Sequence, residues 1–142
     1  LFQGLSKLTL DAKGRISVPS RHRDALIAQC EGRVTLTRHP DGCLLLYPRP
    51  RWEQKRAELV KLPLSRRVLQ RILIGSAVDL ELDNAGRILV SPELRAAAGL
   101  ERDVFLSGVG EHFELWEPTR MEELEKQQLA AGGFDAAEDF TV

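Results

Sequence analysis

Two short runs hold the residue types that could do chemistry in this sequence: Asp11-Ala12-Lys13-Gly14-Arg15 and Asp83-Asn84-Ala85-Gly86-Arg87. A carboxylate, a glycine and a guanidinium stand at the same spacing in both. A carboxylate heading such a run can accept hydrogen bonds from the turn amides, and the planar guanidinium can brace it with charge-assisted bonds. Gly14 and Gly86 suit the close of each turn because glycine takes a positive φ without strain at Cβ. The same turn pushes an arginine out at an edge, where it could reach phosphates or guanine edges. Spacing alone leaves both uses open, and the neighbouring charge separates them. Lys7, Lys13, Arg15, Arg21, His22 and Arg23 fall within 17 residues, opposed by Asp11 and Asp24. At the matching places the second run offers Ala85, Glu93 and Leu94 beside Asp79, Glu81 and Asp83. Arg15 is therefore expected to contact nucleic acid, with Lys13 on a phosphate, Asp11 and Gly14 shaping the loop, and Lys7 and Arg21 beside it. Asp83, Gly86 and Arg87 form a secondary candidate, in which Arg87 is expected to brace its own turn. Arg21 and Arg23 lie roughly 200° apart on a helix, so they cannot both reach one groove easily. Arg23 recurs as Arg95, which favours a structural job for it.

Other chemistry finds little support. No GxSxG, HExxH, Walker A or GxGxxG run is present, and the three histidines have no acid or nucleophile at a telling spacing. The chain is read as a non-enzyme. Cys30 and Cys43 are the only cysteines, and with His39 they make no CxxC or HxxxH pair. Two reduced thiols in a cytosolic setting are expected, with no metal and no cofactor. The longest apolar runs are short, such as Leu44-Leu45-Leu46, against about 18 residues for a membrane span, so no membrane partner is expected. Nor does any stretch have the basic-then-apolar layout of a signal peptide. Leu1 stands where an initiator Met would, so Leu1-Phe2-Gln3-Gly4 reads either as a start with residue 1 changed or as a protease-site remnant.

The net charge of -1 conceals a split. Residues 1–71 carry 15 Lys and Arg against 6 Asp and Glu, and residues 72–142 carry 5 against 15. A basic half facing an acidic half suits a nucleic-acid surface on one side. It equally suits head-to-tail association of subunits. Arg66, Arg67 and Arg71 read first as a solvated face, with a phosphate surface or a subunit contact as alternatives. Tyr47, Trp52 and Trp116 are read as lying on apolar faces, which argues against aromatic base stacking.

Positioning the two runs is the work of a duplication. The stretch 8–18 returns as 80–90, with Asp, Gly, Arg, Ile and Val recurring at an offset of 72. At an offset of 70, Val34-Thr35-Leu36-Thr37 matches Val104-Phe105-Leu106-Ser107, and Cys43-Leu44-Leu45-Leu46-Tyr47-Pro48 matches Phe113-Glu114-Leu115-Trp116-Glu117-Pro118. Each copy reads as strand, turn, strand, short helix and hairpin. Helices are expected near 20–30 and 92–98, stopped by Gly32 and Gly99, the second capped by Ser91 with Pro92 at its first position. The first hairpin, 34–37 with 43–47, crosses the turn His39-Pro40-Asp41-Gly42. Further helices are expected over 50–62, 64–74 and 118–131. The organisation is thus a first repeat at 5–50, a central helical insert at 51–76, a second repeat at 77–118, a C-terminal helix at 119–131 and an acidic, frayed tail at 132–142. At 142 residues, with 43% hydrophobic and 29% charged residues, the chain can bury a core without staples, but a 45-residue copy alone cannot. The two copies should interleave their strands into one small closed barrel with helices packed outside, a mixed α+β fold.

The paired Asp-x-x-Gly-Arg units, the run from Asp11 to Arg23 and Pro48-Arg49-Pro50-Arg51-Trp52 closely resemble the MraZ family of bacterial transcriptional regulators, over about residues 2 to 131. Asp11 and Arg15, with Asp83 and Arg87, fall on that family's paired Asp-x-x-x-Arg positions. The resemblance implies an AbrB-like swapped-hairpin β-barrel and ring-shaped homo-oligomers. It further implies binding to tandem promoter repeats of double-stranded DNA, and repression of the division and cell-wall gene cluster by a cytoplasmic, nucleoid-associated protein. An antitoxin that binds a protein partner is the rival from another class, although such a chain usually has one barrel unit and a long disordered arm. A ring scaffold that binds no DNA is the third alternative.

Overall fold

A computed structural model describes residues 1–132. The expected acidic tail, Gly132 apart, falls outside the described residues. The strands are β1 (Phe2–Thr9), β2 (Arg15–Ser17), β3 (Arg33–Arg38), β4 (Leu44–Pro48), β5 (Val78–Glu81), β6 (Arg87–Leu89), β7 (Asp103–Gly110) and β8 (Phe113–Trp116). The helices are α1 (Ser20–Cys30), α2 (Arg49–Leu59), α3 (Arg67–Leu69), α4 (Pro92–Ala98) and α5 (Pro118–Ala130). Their ends follow local chemistry. Ser91 Oγ accepts from the Leu94 amide to open α4, and Gly99 closes it in the left-handed region. At the end of α1 it is Glu31, ahead of Gly32, that first takes a left-handed conformation.

The insert departs from its expected single helix over 64–74. It is a 3₁₀ turn at Leu64–Arg66, one α turn, and a π turn at Gln70–Ile74. Bonds to residues outside the stretch hold this irregular path: Gln70 Nε2 donates to Leu59 O and Leu62 O, and Thr37 Oγ1 donates to Leu73 O. The wider turn brings Leu73 and Ile74 onto the same apolar cluster as Leu69, leaving Val68 exposed.

The copies exchange strands. One antiparallel sheet runs β1-β7-β8-β4-β3-β5, so the first strand of each repeat pairs with the hairpin of the other: β1 with β7, β5 with β3. The exchange repeats in the single bonds from Leu10 N to Arg102 O and from Leu82 N to Gly32 O. The expected closed barrel is not formed. β1 and β5 end the sheet as edges, and β2 and β6 make a separate two-stranded ribbon. The physical reason is where the backbone bonds go. β2 and β6 pair with each other over three positions, the Arg15 and Arg87 amides donate to the carboxylates of Asp11 and Asp83, and the Asp11 amide, donating to Arg15 O, ties the end of β1 to β2.

Both faces of the large sheet are covered, which explains why all five residues of β4 are buried. Leu44 and Leu46 face one apolar cluster, built with Ile16, Val18, Leu26, Ile88, Val90 and Phe113 beneath the ribbon and α1. Leu45 and Tyr47 face the other, with Trp52, Leu59, Leu73 and Trp116 against α2, the insert and α5. Phe2 is 5% exposed, its ring 4.3 Å from that of Phe113. No helix among the described residues is long and apolar enough to cross a membrane.

Candidate nucleic-acid interface

The two Asp-x-x-Gly-Arg turns have the same internal geometry. Asp11 Oδ1 accepts from the amides of Lys13 and Arg15, and its Oδ2 accepts from Arg15 Nε at 2.8 Å. Asp83 accepts from the amides of Ala85 and Arg87 and from Arg87 Nε at 2.9 Å. The amide bond from Arg15, then the bonds from its guanidinium and from the Lys13 amide, hold the Asp11 carboxyl below the usual carboxylate range. The Arg87 amide leads the same effect on Asp83. Bracing is thus common to both arginines, and the expected contrast between a reaching Arg15 and a bracing Arg87 has no counterpart in the turn geometry. What separates the turns is the cation Lys13 in one and Ala85 in the other.

The ribbon sets the turns side by side. Arg15 pairs with Leu89, Ile16 with Ile88 and Ser17 with Arg87, and the ladder is continued by Val18 N to Gly86 O and Val90 N to Gly14 O. Paired residues share a face, so Ile16 and Ile88 go down into the core while Arg15, Ser17, Arg87 and Leu89 face out. Arg15 and Arg87 stand diagonally across the ladder, about 7–8 Å apart. Each guanidinium is tied by one nitrogen only, and its terminal amino groups make no hydrogen bond among the described residues.

Each turn also carries an arginine from the other repeat. The Arg95 guanidinium lies over Gly14, its Cζ 2.8 Å from where a Cβ would stand, and Nε donates to Val90 O at 3.0 Å. Arg23 lies over Gly86 in the same way and donates to Val18 O at 3.2 Å. Gly14 and Gly86 therefore meet two demands, a φ of +83° and +74° and the absence of a side chain under an arginine. The recurrence of Arg23 as Arg95 signalled a structural role, but nothing local shows that the role crosses between repeats.

Lys7 lies on β1 and Arg21 in the first turn of α1, both outside the Asp-x-x-Gly-Arg turn. Lys7 Nζ is 5.6 Å from the centre of the Phe105 ring, and Arg21 Nη2 comes to 3.0 Å from the Cβ position of Gly4. Neither makes a hydrogen bond or ion pair with either turn among the described residues. His22, next to Arg21, is buried with its ring 4.9 Å from that of Phe113 and 5.9 Å from that of Phe2. Burial, and secondly the charge of Arg21, lowers its pKa, so it is a neutral core residue. Ser17 and Leu89 were missed as candidate contacts. Strand alternation from the buried Ile16 and Ile88 was the signal that could have found them. Arg49 was also missed as a clamp: its Nη2 donates to Val34 O and Leu80 O, fastening β5 to β3 across the repeats.

The chain is thus a duplicated α+β protein with exchanged strands that carries two braced arginines on the ribbon. The model of the family described as "MraZ protein, putative antitoxin-like" matches the chain twice, over residues 1–74 and 73–141. The chain belongs to the MraZ family. It is 59% identical over 141 residues to the transcriptional regulator MraZ of Herminiimonas arsenicoxydans, and 57% identical to that of Bordetella pertussis. The Burkholderia cenocepacia relative is 59% identical, and all three alignments cover 99% of both chains. The family is one of transcriptional regulators, not of enzymes.

Proposed function

We propose that this chain is a sequence-specific DNA-binding regulator that represses the division and cell-wall gene cluster by binding tandem promoter repeats as a ring-shaped homo-oligomer. The observation that carries this reading is the β2–β6 ribbon with Arg15, Ser17, Arg87 and Leu89 on its outer face. The major groove of B-DNA admits a two-stranded ribbon, and arginine is its commonest specific reader, through the O6 and N7 of guanine. Arg15 is the principal contact, with Lys13 on a phosphate and Lys7 and Arg21 extending the basic surface. Asp11 and Gly14 hold the loop, and Asp83, Gly86 and Arg87 form the second half of the reading face. The repeats at 5–50 and 77–118 act as one unit because each completes the other's sheet. The charge split between the halves of the chain supports head-to-tail assembly, and such a protein works in the cytoplasm at the nucleoid.

One ribbon offers few cations, so avidity matters: a second engaged subunit binds intramolecularly and raises affinity by roughly 10²–10⁴. The experiment is a titration of duplexes carrying one, two or three repeats, with and without an insertion of about five base pairs, a half-turn of DNA. Affinity should climb with repeat number, fall with the insertion, and weaken steeply with salt through counterion release. Equal affinity for every duplex, or a binding constant flat in salt, refutes the reading. The family description "antitoxin-like" favours a second reading, a module that binds a protein partner. Salt-sensitive binding to the repeats by the purified chain decides against it.

A further inference from the structure

The outer face of the ribbon is not symmetric. Exchange of the two repeats sends Arg15 to Arg87, like to like, but it sends Ser17 to Leu89. One diagonal therefore carries two guanidiniums, and the other carries a hydroxyl at one end and an isobutyl group at the other. Leu89 is 49% exposed between Ile88 and Val90, which are 1% and 0% exposed, and it belongs to neither apolar cluster. A lone exposed leucine on a protein surface is ordinary. This one stands directly across the ladder from Arg15, about 5 Å away, on the face proposed to meet the major groove. A leucine there has no donor or acceptor for a base edge and gains only by removing apolar surface from water. The apolar feature that a base edge presents in the major groove is the 5-methyl group of thymine.

We infer that Leu89 is a specificity-determining residue that packs on a thymine methyl beside the base pair met by Arg15, an inference that rests on the DNA-binding reading of the ribbon. Ser17, at the equivalent place, offers a donor and an acceptor instead. The two ends of the ribbon thus select unlike base pairs. A symmetric reading element calls for a palindromic site; this element calls for a directional one.

The test uses the purified full chain and a duplex carrying the tandem promoter repeats, with each thymine replaced singly by uracil, which keeps pairing and removes only the methyl. The wild type should bind one such replacement per repeat about fourfold more weakly, the worth of one buried methyl. Leu89→Ser should bind the thymine and uracil duplexes alike at that position, and Leu89→Val should keep part of the difference. The melting temperatures of all three proteins should agree, because Leu89 packs in neither cluster. If the wild type binds the repeats but ignores every thymine-to-uracil change, or if Leu89→Ser still discriminates, the role of Leu89 is overturned while the ribbon reading stands. If no duplex is bound in a salt-sensitive manner, the ribbon reading fails and the assignment of Leu89 falls with it.

Discussion

Alanine at position 14 would strain the backbone of one repeat and displace a side chain of the other. Gly14 holds φ at +83°, a conformation that costs an L-residue about 1–2 kcal/mol. The new Cβ would stand 2.8 Å from Arg95 Cζ and 3.0 Å from its Nε and Nη2. Arg95 can swing away, but only by giving up its 3.0 Å bond from Nε to Val90 O, a loss of about 1–2 kcal/mol. Together these make about 2–4 kcal/mol, a drop of about 6–15 °C in melting temperature for a chain of this size. Thermal unfolding of Gly14→Ala, Arg95→Ala and the double variant separates the two parts. In the Arg95→Ala background the overlap is gone, and the glycine substitution should cost only the backbone strain, about 1–2 kcal/mol. A Gly14→Ala protein that melts with the wild type, or a double variant showing no coupling, would refute the packing of Arg95 on the Gly14 turn.

Arg15→Ala and Arg87→Ala should melt alike, since each removes one brace from an aspartate that keeps its two amide bonds; Arg15→Ala should also lose about 5- to 150-fold in DNA affinity in a binding titration, the worth of one good base contact. A melting temperature for Arg87→Ala far below that of Arg15→Ala would show the turns to be unequal after all. Stability should fall as pH drops below about 6.5, because burial lowers the pKa of His22 and His112 in the folded chain while the unfolded chain protonates near 6.5. His22→Phe should flatten that slope in melting curves between about pH 7.5 and 5.5, and an unchanged slope would remove His22 as a cause. Asp11 and Asp83, held low, add a loss only below their ordinary value of 3.8. Burial pushes the Cys43 thiol up to about 12, so alkylation near neutral pH followed by mass spectrometry should leave Cys43 unmodified in the folded chain and label it only after unfolding.

What the sequence by itself determined is what local chemistry settles. The turns at Asp11 and Asp83 were legible because every bond that builds them spans two to four residues. The same holds for α4, whose cap, first proline and closing glycine lie within nine residues. The duplication was legible because it is written twice. Its interleaving followed only as an expectation from the size of one copy, and the form it takes was decided elsewhere. Which strand pairs with which across the repeats depends on backbone groups meeting over some 40 to 110 residues, as Leu36 meets Val78 and Phe2 meets Gly110, and no local preference encodes that partner. The open sheet with a separate ribbon, in place of a closed barrel, rests on three rungs between β2 and β6. The stretch 64–74 reads as a regular helix, yet its second half is a π turn, held from outside by the bond from Thr37 Oγ1 to Leu73 O. Local charge marked Arg15 and Arg87 as different, whereas the fold gives them one geometry and hands each glycine an arginine from the opposite repeat. Spacing sets what a turn can hold, but only packing brings the two turns onto one ribbon and leaves Ser17 and Leu89 facing outward between them.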